Sequence, residues 1–284
     1  MSVIKKKKFD FFGLADILHE HKGQRKQILL LSVNELKKKY KGAVLGPMWA
    51  LIKPTFTMFI LWFAFSVGLR RGGGVEFMGT KYSQFIFMFT GYIPWFFISE
   101  CIIGGSRSIR KNKQFVTKLS FPVSNIMTFT SLSALYVHFF LSLIMYIVLL
   151  CSGYGPSIYN LQYFYYCGMM YLFFLVLSWV TAPLSAFSKD FENLVNSIIT
   201  GLFWMSGALW NTYSIEPLWL RKLMYFNPIN YFLNGYRKCF LSHTFIFDSN
   251  YTMETVVFYA EFIALIFIGA HVYKKFRKIL PDVL

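Results

Sequence analysis

The chain has 284 residues, of which 56% are hydrophobic and 20% aromatic, and its 29 Lys/Arg against 13 Asp/Glu give a formal net charge of +16. With charged residues at only 15%, this is not the make-up of a soluble globular domain, and the chain reads as an integral membrane protein. The basic excess is first a topology signal, helped by anionic lipid, and nucleic acid is a poor second explanation for it.

In chain order, MSVIKKKKFDFFG has the basic start of a secretory signal. No apolar core of about 7–15 residues follows before HEHKGQRK, so no cleaved peptide is expected. FFGLADILHEH (11–21), with Phe11, Leu14 and Leu18, reads as a short amphipathic element; His19 and His21 flank Glu20 there and read as solvated residues rather than metal ligands. In QILLLSVNELKKKYK the apolar residues Leu29, Val33, Leu36 and Tyr40 recur at helical spacing, while Asn34, Lys37, Lys38 and Lys41 fall on another side. That pattern predicts an amphipathic helix along the membrane surface, its apolar face in lipid or against the bundle. Two roles fit it equally, a positive-inside anchor or a docking surface.

A bilayer-spanning helix needs about 20 mostly apolar residues. Six stretches qualify, roughly 47–69, 82–106, 122–151, 160–187, 193–212 and 255–273. Their apolar runs lack period-2 alternation, so they are helices and not barrel strands. The expected fold is an all-α, polytopic six-helix membrane protein. It divides into a tail at 1–46, a membrane domain at 47–273 that includes an outer segment at 213–254, and a second tail at 274–284. Residues 1–46 hold 11 Lys/Arg and the 107–121 connection 5, whereas 213–254 holds 4, which places both termini in the cytoplasm.

Between the spans, RGGGVEFMGT (71–80) reads as a flexible outer loop. Glu100 in the second span is a site candidate because intramembrane carboxylates are costly, with Lys53 or Arg107 as its expected partner. SRSIRKNKQFVTKLSFP (106–122) intersperses Ile109, Phe115 and Val116 among five positive charges, which suits either a solvated loop or a short basic helix whose apolar teeth dock on a partner. In 213–254, apolar pieces at 217–226 and 229–241 are separated by Asn227-Pro228; each is too short to span, so they read as re-entrant or interfacial half-helices bordering a pathway.

Absent motifs narrow the chemistry. No glycine is followed by lysine, so there is no phosphate loop and this chain is no P-loop ATPase; H-E-x-x-H and D-x-D are missing too. Cys101, Cys151, Cys167 and Cys239 have no C-x-x-C spacing and read as packing residues. No metal site is expected.

The amphipathic helix leading into YKGAVLGPMWALIKP, the junction KLSFP (118–122), the short loop FSKDFENLV (187–195) and NPINYFLNGYR (227–237) together resemble the permease subunit of an ABC-2 type exporter. The resemblance runs over about residues 25–275 and is nearest to the polysaccharide branch, which exports O-antigen, capsule and teichoic acid. Two positions depart from the family pattern: Gly207 in WMSGALW stands where proline is expected, and Lys53 lies inside the first span.

The resemblance implies a homodimeric, multi-pass permease of the bacterial cytoplasmic membrane, itself no enzyme and without a cofactor. Two copies of a cytoplasmic ATPase subunit would carry the ATP and Mg. It makes Leu36, Tyr40, Arg110, Phe115 and Val116 the ATPase-coupling candidates. A lipid-linked glycan on an isoprenoid diphosphate would be the substrate, its diphosphate met at headgroup level by Lys38, Lys41, Lys53 and Arg107. Sugar rings stack their C–H faces on aromatics without fixing one register, which makes Trp49, Phe56, Trp62, Tyr92, Trp95, Phe96, Trp204, Trp210 and Tyr213 path candidates; interfacial belts and lipid-facing packing are the other reading of the same rings. An ABC-2 permease for a small molecule or peptide, and a membrane-embedded glycan-modifying transferase, remain the alternatives.

Overall fold

A computed structural model describes residues 13–68, 73–119, 121–249 and 252–284. The lysine run near the start, Phe11, part of the 71–80 loop and Ser120 of the KLSFP junction lie outside the described residues.

Among the described residues, five helical segments are long and apolar enough to cross a membrane: Gly46–Gly68, Gln84–Lys111, Val123–Cys151, Ile158–Phe187 and Thr252–Phe276. They contain α3 (Trp49–Phe63), α4 (Gln84–Lys111), α6 (Val123–Cys151), α7 (Gln162–Phe187) and α11 (Thr252–Phe276). The stretch expected at 193–212 is instead α8, Lys189–Met205, which ends early. At about 1.5 Å per residue its 17 residues still reach about 26 Å. α8 begins where Glu192 meets Arg107 at the end of α4, and it stops where Ala208 meets Arg237 beside Phe87 near the start of α4. It therefore traverses the bundle, which makes six crossings.

α4 is the central helix, buried along most of its length and packed against α6, α7, α8 and α10 (Pro228–Arg237). Small residues make that position accessible: a Cβ on Gly105 would sit 3.0 Å from the Ser178 side chain of α7. In lipid, where apolar burial gives no drive between helices, such close backbone approach is what holds a bundle together.

α2 (Arg25–Lys39) lies against α6, with Ile28, Ser32 and Glu35 turned inward and Ser32 Oγ 2.9 Å from Tyr136 OH. Leu29 and Val33 of the apolar stripe are exposed, and so are Asn34, Lys37, Lys38 and Lys41. α1 (Leu14–His21) is pinned beside it. Glu20 accepts hydrogen bonds from Ser124 Oγ (2.5 Å) and Tyr273 OH (2.6 Å) and pairs with Arg277 (2.8 Å), while His21 Nε2 hydrogen bonds with Thr128 Oγ1 at 2.7 Å. His21, expected to be solvated, thus belongs with Glu20 to a clamp that joins α1 to α6 and α11. The first and last described segments meet at one end of the bundle, called here the basic end.

At the opposite end, residues 75–82 form a β-hairpin and not the expected flexible loop. β1 (Val75–Phe77) pairs antiparallel with β2 (Thr80–Tyr82), and the turn takes Met78 and Gly79 to positive φ (52° and 76°). Two positive-φ residues in a row twist a tight turn to match the strands, a signal that Met-Gly carries less plainly than Asn-Gly. Phe77 is fully buried, stacked on Tyr213 with ring centroids 5.6 Å apart, so the hairpin caps the bundle.

The two half-helices also form there. α9 (Leu218–Leu223) precedes α10, whose start is fixed by Pro228 at its first position and by Asn227 Oδ1, which accepts from Ile229 N–H at 3.0 Å. α10 is buried from Ile229 to Arg237. All four cysteines are free, three of them buried.

Gly91 on α4 shows how tightly α10 is seated, since a Cβ there would lie 2.6 Å from Ala208 O and run into the Arg237 guanidinium. Gly91→Val is expected to lower stability by about 1–3 kcal/mol through overpacking, whereas Gly201→Ala, inside α8 with nothing within 4 Å, should raise it by up to about 1 kcal/mol through helix propensity. Thermal unfolding of the purified protein in detergent measures both; equal midpoints for the two variants would mean that α10 does not pack here.

Candidate functional site

Three adjacent cavities open along one side of α4. The first, of about 450 Å³, lies at the basic end among α2, α4 and α6, with Leu36, Arg107, Lys111 and Thr130 in its wall. The second, of about 530 Å³, runs along α3 past Trp49, Ile52, Phe56 and Thr57. The third, of about 280 Å³, continues between α3, α4 and α8 past Tyr92, Trp95 and Phe203. Lys39, Tyr40, Lys53, Phe96 and Glu100 line both of the first two. Together the cavities form a groove with cations at one end and rings along the rest.

The chain folds this way locally because α2 ends at Lys39 and the following turns, helped by Gly42 and Gly46 at positive φ, bring Trp49 back into the membrane beside α4. Pro54 sits inside α3, where it removes one backbone donor and bends the helix. α3 is the least buried of the long helices, so the groove has a peripheral wall.

Ion pairs organise the basic end. Lys39 pairs with Glu100, Lys111 with Glu35 (2.5 Å) and Arg107 with Glu192 (2.8 Å). Glu100 therefore meets neither Lys53 nor Arg107, its expected partners: Arg107 is taken by Glu192, and Lys39 reaches Glu100 from the end of α2. Burial opposes the charge of the Lys39 ammonium, but the Glu100 carboxylate and Tyr40 outweigh it and hold the pKa above the usual lysine value. Among the described residues Lys53 has no carboxylate partner.

Of the four headgroup cations, Lys53 and Arg107 line the groove, while Lys38 and Lys41 are exposed outside it. Sequence reading missed Lys39 and Lys111, because in a run of lysines only the fold shows which ones turn inward. Among the rings, Trp49, Phe56, Phe96, Tyr92 and Trp95 line the groove. Trp62 packs on Phe59 and Phe85 instead, Trp210 donates its Nε1 hydrogen to Trp204 O at 3.2 Å, and Tyr213 OH donates to Glu254 at 2.9 Å. Trp204, Trp210 and Tyr213 belong to the opposite end and line none of the three cavities. Phe203, 5.2 Å from Trp95 between ring centroids, and Phe97 in the wall of the first cavity are lining rings that sequence reading passed over.

The coupling candidates separate as well. Leu36 and Tyr40 face the first cavity, and Arg110 is held by Glu192 and by the Ser185 and Ala186 carbonyls. The first part of the 106–122 stretch is helical, as the end of α4 and as α5 (Lys113–Thr117). Its apolar teeth point inward: Ile109 and Val116 are buried, and Phe115 lies against Phe121 and Phe129 at 5.4 and 5.9 Å. Leu119, 65% exposed among lysines, is the apolar residue that this connection presents outward.

The break after α8 explains NPINYFLNGYR. Asn227, Asn230 and Asn234 recur on one face of α10. Asn227 donates to Ser206 Oγ (3.2 Å), Asn230 accepts from Gly207 N–H (2.8 Å) and Asn234 donates to Thr212 Oγ1 (3.1 Å). A proline at 207 would lack the donor that Asn230 takes up, so the departure at Gly207 matches the wiring of this chain. Arg237 is fully buried with its guanidinium 3.7 Å over the Phe87 ring, donating to Phe87 O, Ala208 O and Asn234 Oδ1.

Comparison with known proteins gives the same outline. The chain is 27% identical over 231 residues to the O-antigen export system permease protein RfbA of Myxococcus xanthus, covering 80% of this chain and 83% of that protein. It is 22% identical over 262 residues to a protein of the same name from Klebsiella pneumoniae, covering 90% and 94%. The profile of the ABC-2 type transporter family matches residues 26–241, and the chain, a transporter membrane subunit, belongs to that family.

Proposed function

We propose that this chain is the permease subunit of an ATP-driven exporter that moves a lipid-linked polysaccharide across the cytoplasmic membrane. It works as a homodimer with two copies of a separate ATPase, and both termini face the cytoplasm. The observation that carries the reading is the groove along α4, where cations at headgroup level lead directly onto Trp49, Phe56 and Phe96. A diphosphate needs the cations, and a sugar chain that must slide suits ring faces better than directional hydrogen bonds. The names of the relatives favour O-antigen-like glycans over a small molecule or peptide. The excess of Lys/Arg in 1–46 and 107–121, with α1 clamped to the end of α11, supports placing that end in the cytoplasm.

In this reading the ATPase bears on the exposed lysine side of α2 and on α5 with Leu119. Closure of the ATPase pair would push α2 and α4 together, since Glu35–Lys111 and Lys39–Glu100 tie the two helices. Leu119→Asp is expected to release the ATPase without changing membrane insertion, because the side chain is exposed and no core contact is lost. Co-purification at wild-type yield would place the contact elsewhere.

Export itself is tested in a strain whose own O-polysaccharide exporter is deleted, complemented with this permease and its ATPase and assayed for surface glycan. Single alanines at Trp49, Phe56 or Phe96 should each remove one ring contact of about 0.5–1.5 kcal/mol and slow export about 2–10-fold, with pairs slowing it further. Trp204→Ala, outside the groove, should be silent. Unchanged export in every single and paired groove variant, at normal protein level, would overturn the path; dominance of one residue would favour a small-molecule site.

A further inference from the structure

Five residues, Lys39, Tyr40, Lys53, Phe96 and Glu100, stand between the first and second cavities and line both. Of these, Lys39 and Glu100 alone form an ion pair across the boundary, joining the last residue of α2 to the middle of α4. The pair is not sealed in the core: the two side chains are 42% and 29% exposed. An anion in either cavity can therefore reach Lys39, but only by competing with the Glu100 carboxylate. Arg107 and Lys111 are engaged by Glu192 and Glu35, so Lys53 is the cation of this wall without a carboxylate partner among the described residues. Lys53 and Lys39 are thus the two cations that an anion in either cavity can reach.

We propose that the Lys39–Glu100 ion pair is a displaceable latch, in which a lipid-borne diphosphate takes the place of Glu100 on Lys39 and thereby joins the cation-lined cavity to the aromatic one. This rests on the proposed export of a lipid-linked glycan and assigns the step by which such a ligand passes from the basic end to the rings. A monoanionic carboxylate is the right competitor for this task. A diphosphate carries more charge and more acceptor oxygens, so it wins Lys39 when present, and Glu100 takes the lysine back when the ligand moves on. The exchange is also coupled to α2, because Lys39 is its last residue. Ligand binding would free α2 from α4, and by linkage any force that draws α2 away from α4 would strengthen ligand binding.

The test is equilibrium binding of radiolabelled farnesyl diphosphate to the permease–ATPase complex in nanodiscs. Glu100→Gln keeps the shape and removes the competitor, so it should bind the probe about tenfold more tightly. Lys39→Met should bind it about tenfold more weakly. The exchange Lys39→Glu with Glu100→Lys rebuilds the pair in reverse and should return affinity towards wild type, which separates a lost latch from a disturbed α2. Wild-type or weaker affinity in Glu100→Gln would overturn the latch. Inorganic pyrophosphate binding as tightly as farnesyl diphosphate would overturn the assignment to a lipid-borne ligand. If the binding pattern holds while complemented cells export no glycan, the latch stands and the proposed cargo falls; export with Glu100→Gln unchanged in affinity sinks the latch alone.

Discussion

Hydrocarbon contains no water, so any backbone group that a broken helix releases there must find a partner within the protein. This chain breaks its fifth crossing after Met205 and re-enters with α10, and the remainder of that end is arranged around satisfying the break. Three asparagines on one face of α10 bond to Ser206, Gly207 and Thr212. Arg237 then supplies donors to the Phe87 and Ala208 carbonyls, which ties the break to α4. The guanidinium is suited to this work because it offers several donors in a fixed plane and stacks on a ring without needing a carboxylate. Next to it, Lys238 and Glu254 form a buried pair at 3.0 Å that fixes the end of α10 to the start of α11. Removing either partner would leave a buried charge, at a cost of about 3–5 kcal/mol.

The two ends of the bundle are held by different physics. At the opposite end the polar contacts are buried, and the β-hairpin closes over them through Phe77. At the basic end α4 is tied to α2 and α8 by ion pairs whose cations water can reach, each worth about 0–1 kcal/mol. One end is therefore hard and the other soft. In the proposed reading, with the drive coming from a separate subunit, that asymmetry lets the helices that receive the push shift while the far end keeps its shape.

Much of this was legible in the sequence. Five spans fall within a few residues of where hydropathy puts them, and Asn227-Pro228 marks the start of α10 through ordinary capping chemistry. Three kinds of feature were not legible. The hairpin was missed because its turn uses Met78 at positive φ in place of asparagine. The partner of Glu100 was missed because three consecutive lysines look alike until the turn of α2 sends one inward and two outward. The apolar residues of 106–122 suit a solvated loop or a docking helix in sequence, because spacing shows amphipathicity without showing which side is covered; in the fold Ile109 and Val116 are buried and Phe115 packs on Phe121 and Phe129. Of the nine aromatic candidates, those on α3 and α4 line the groove, apart from Trp62. Trp204, Trp210 and Tyr213 line none of the three cavities, and the break after Met205 that separates them from the groove carries no proline to announce it.

The clamp at Glu20 has a consequence for how the molecule is made. Its partners, Ser124, Tyr273 and Arg277, come from the third crossing and the end of the last. Gly13 lies so close to α11 that a Cβ would sit 2.8 Å from Ala270 O, so α1 has a seat only when that helix is already in place. The first described helix to leave the ribosome is thus among the last to dock. Until translation of the final span is complete, α1 has neither its cation nor its phenol, and the basic end stays open. Synthesis of α11, rather than of α1, is what assembles the surface on which a driving partner would act.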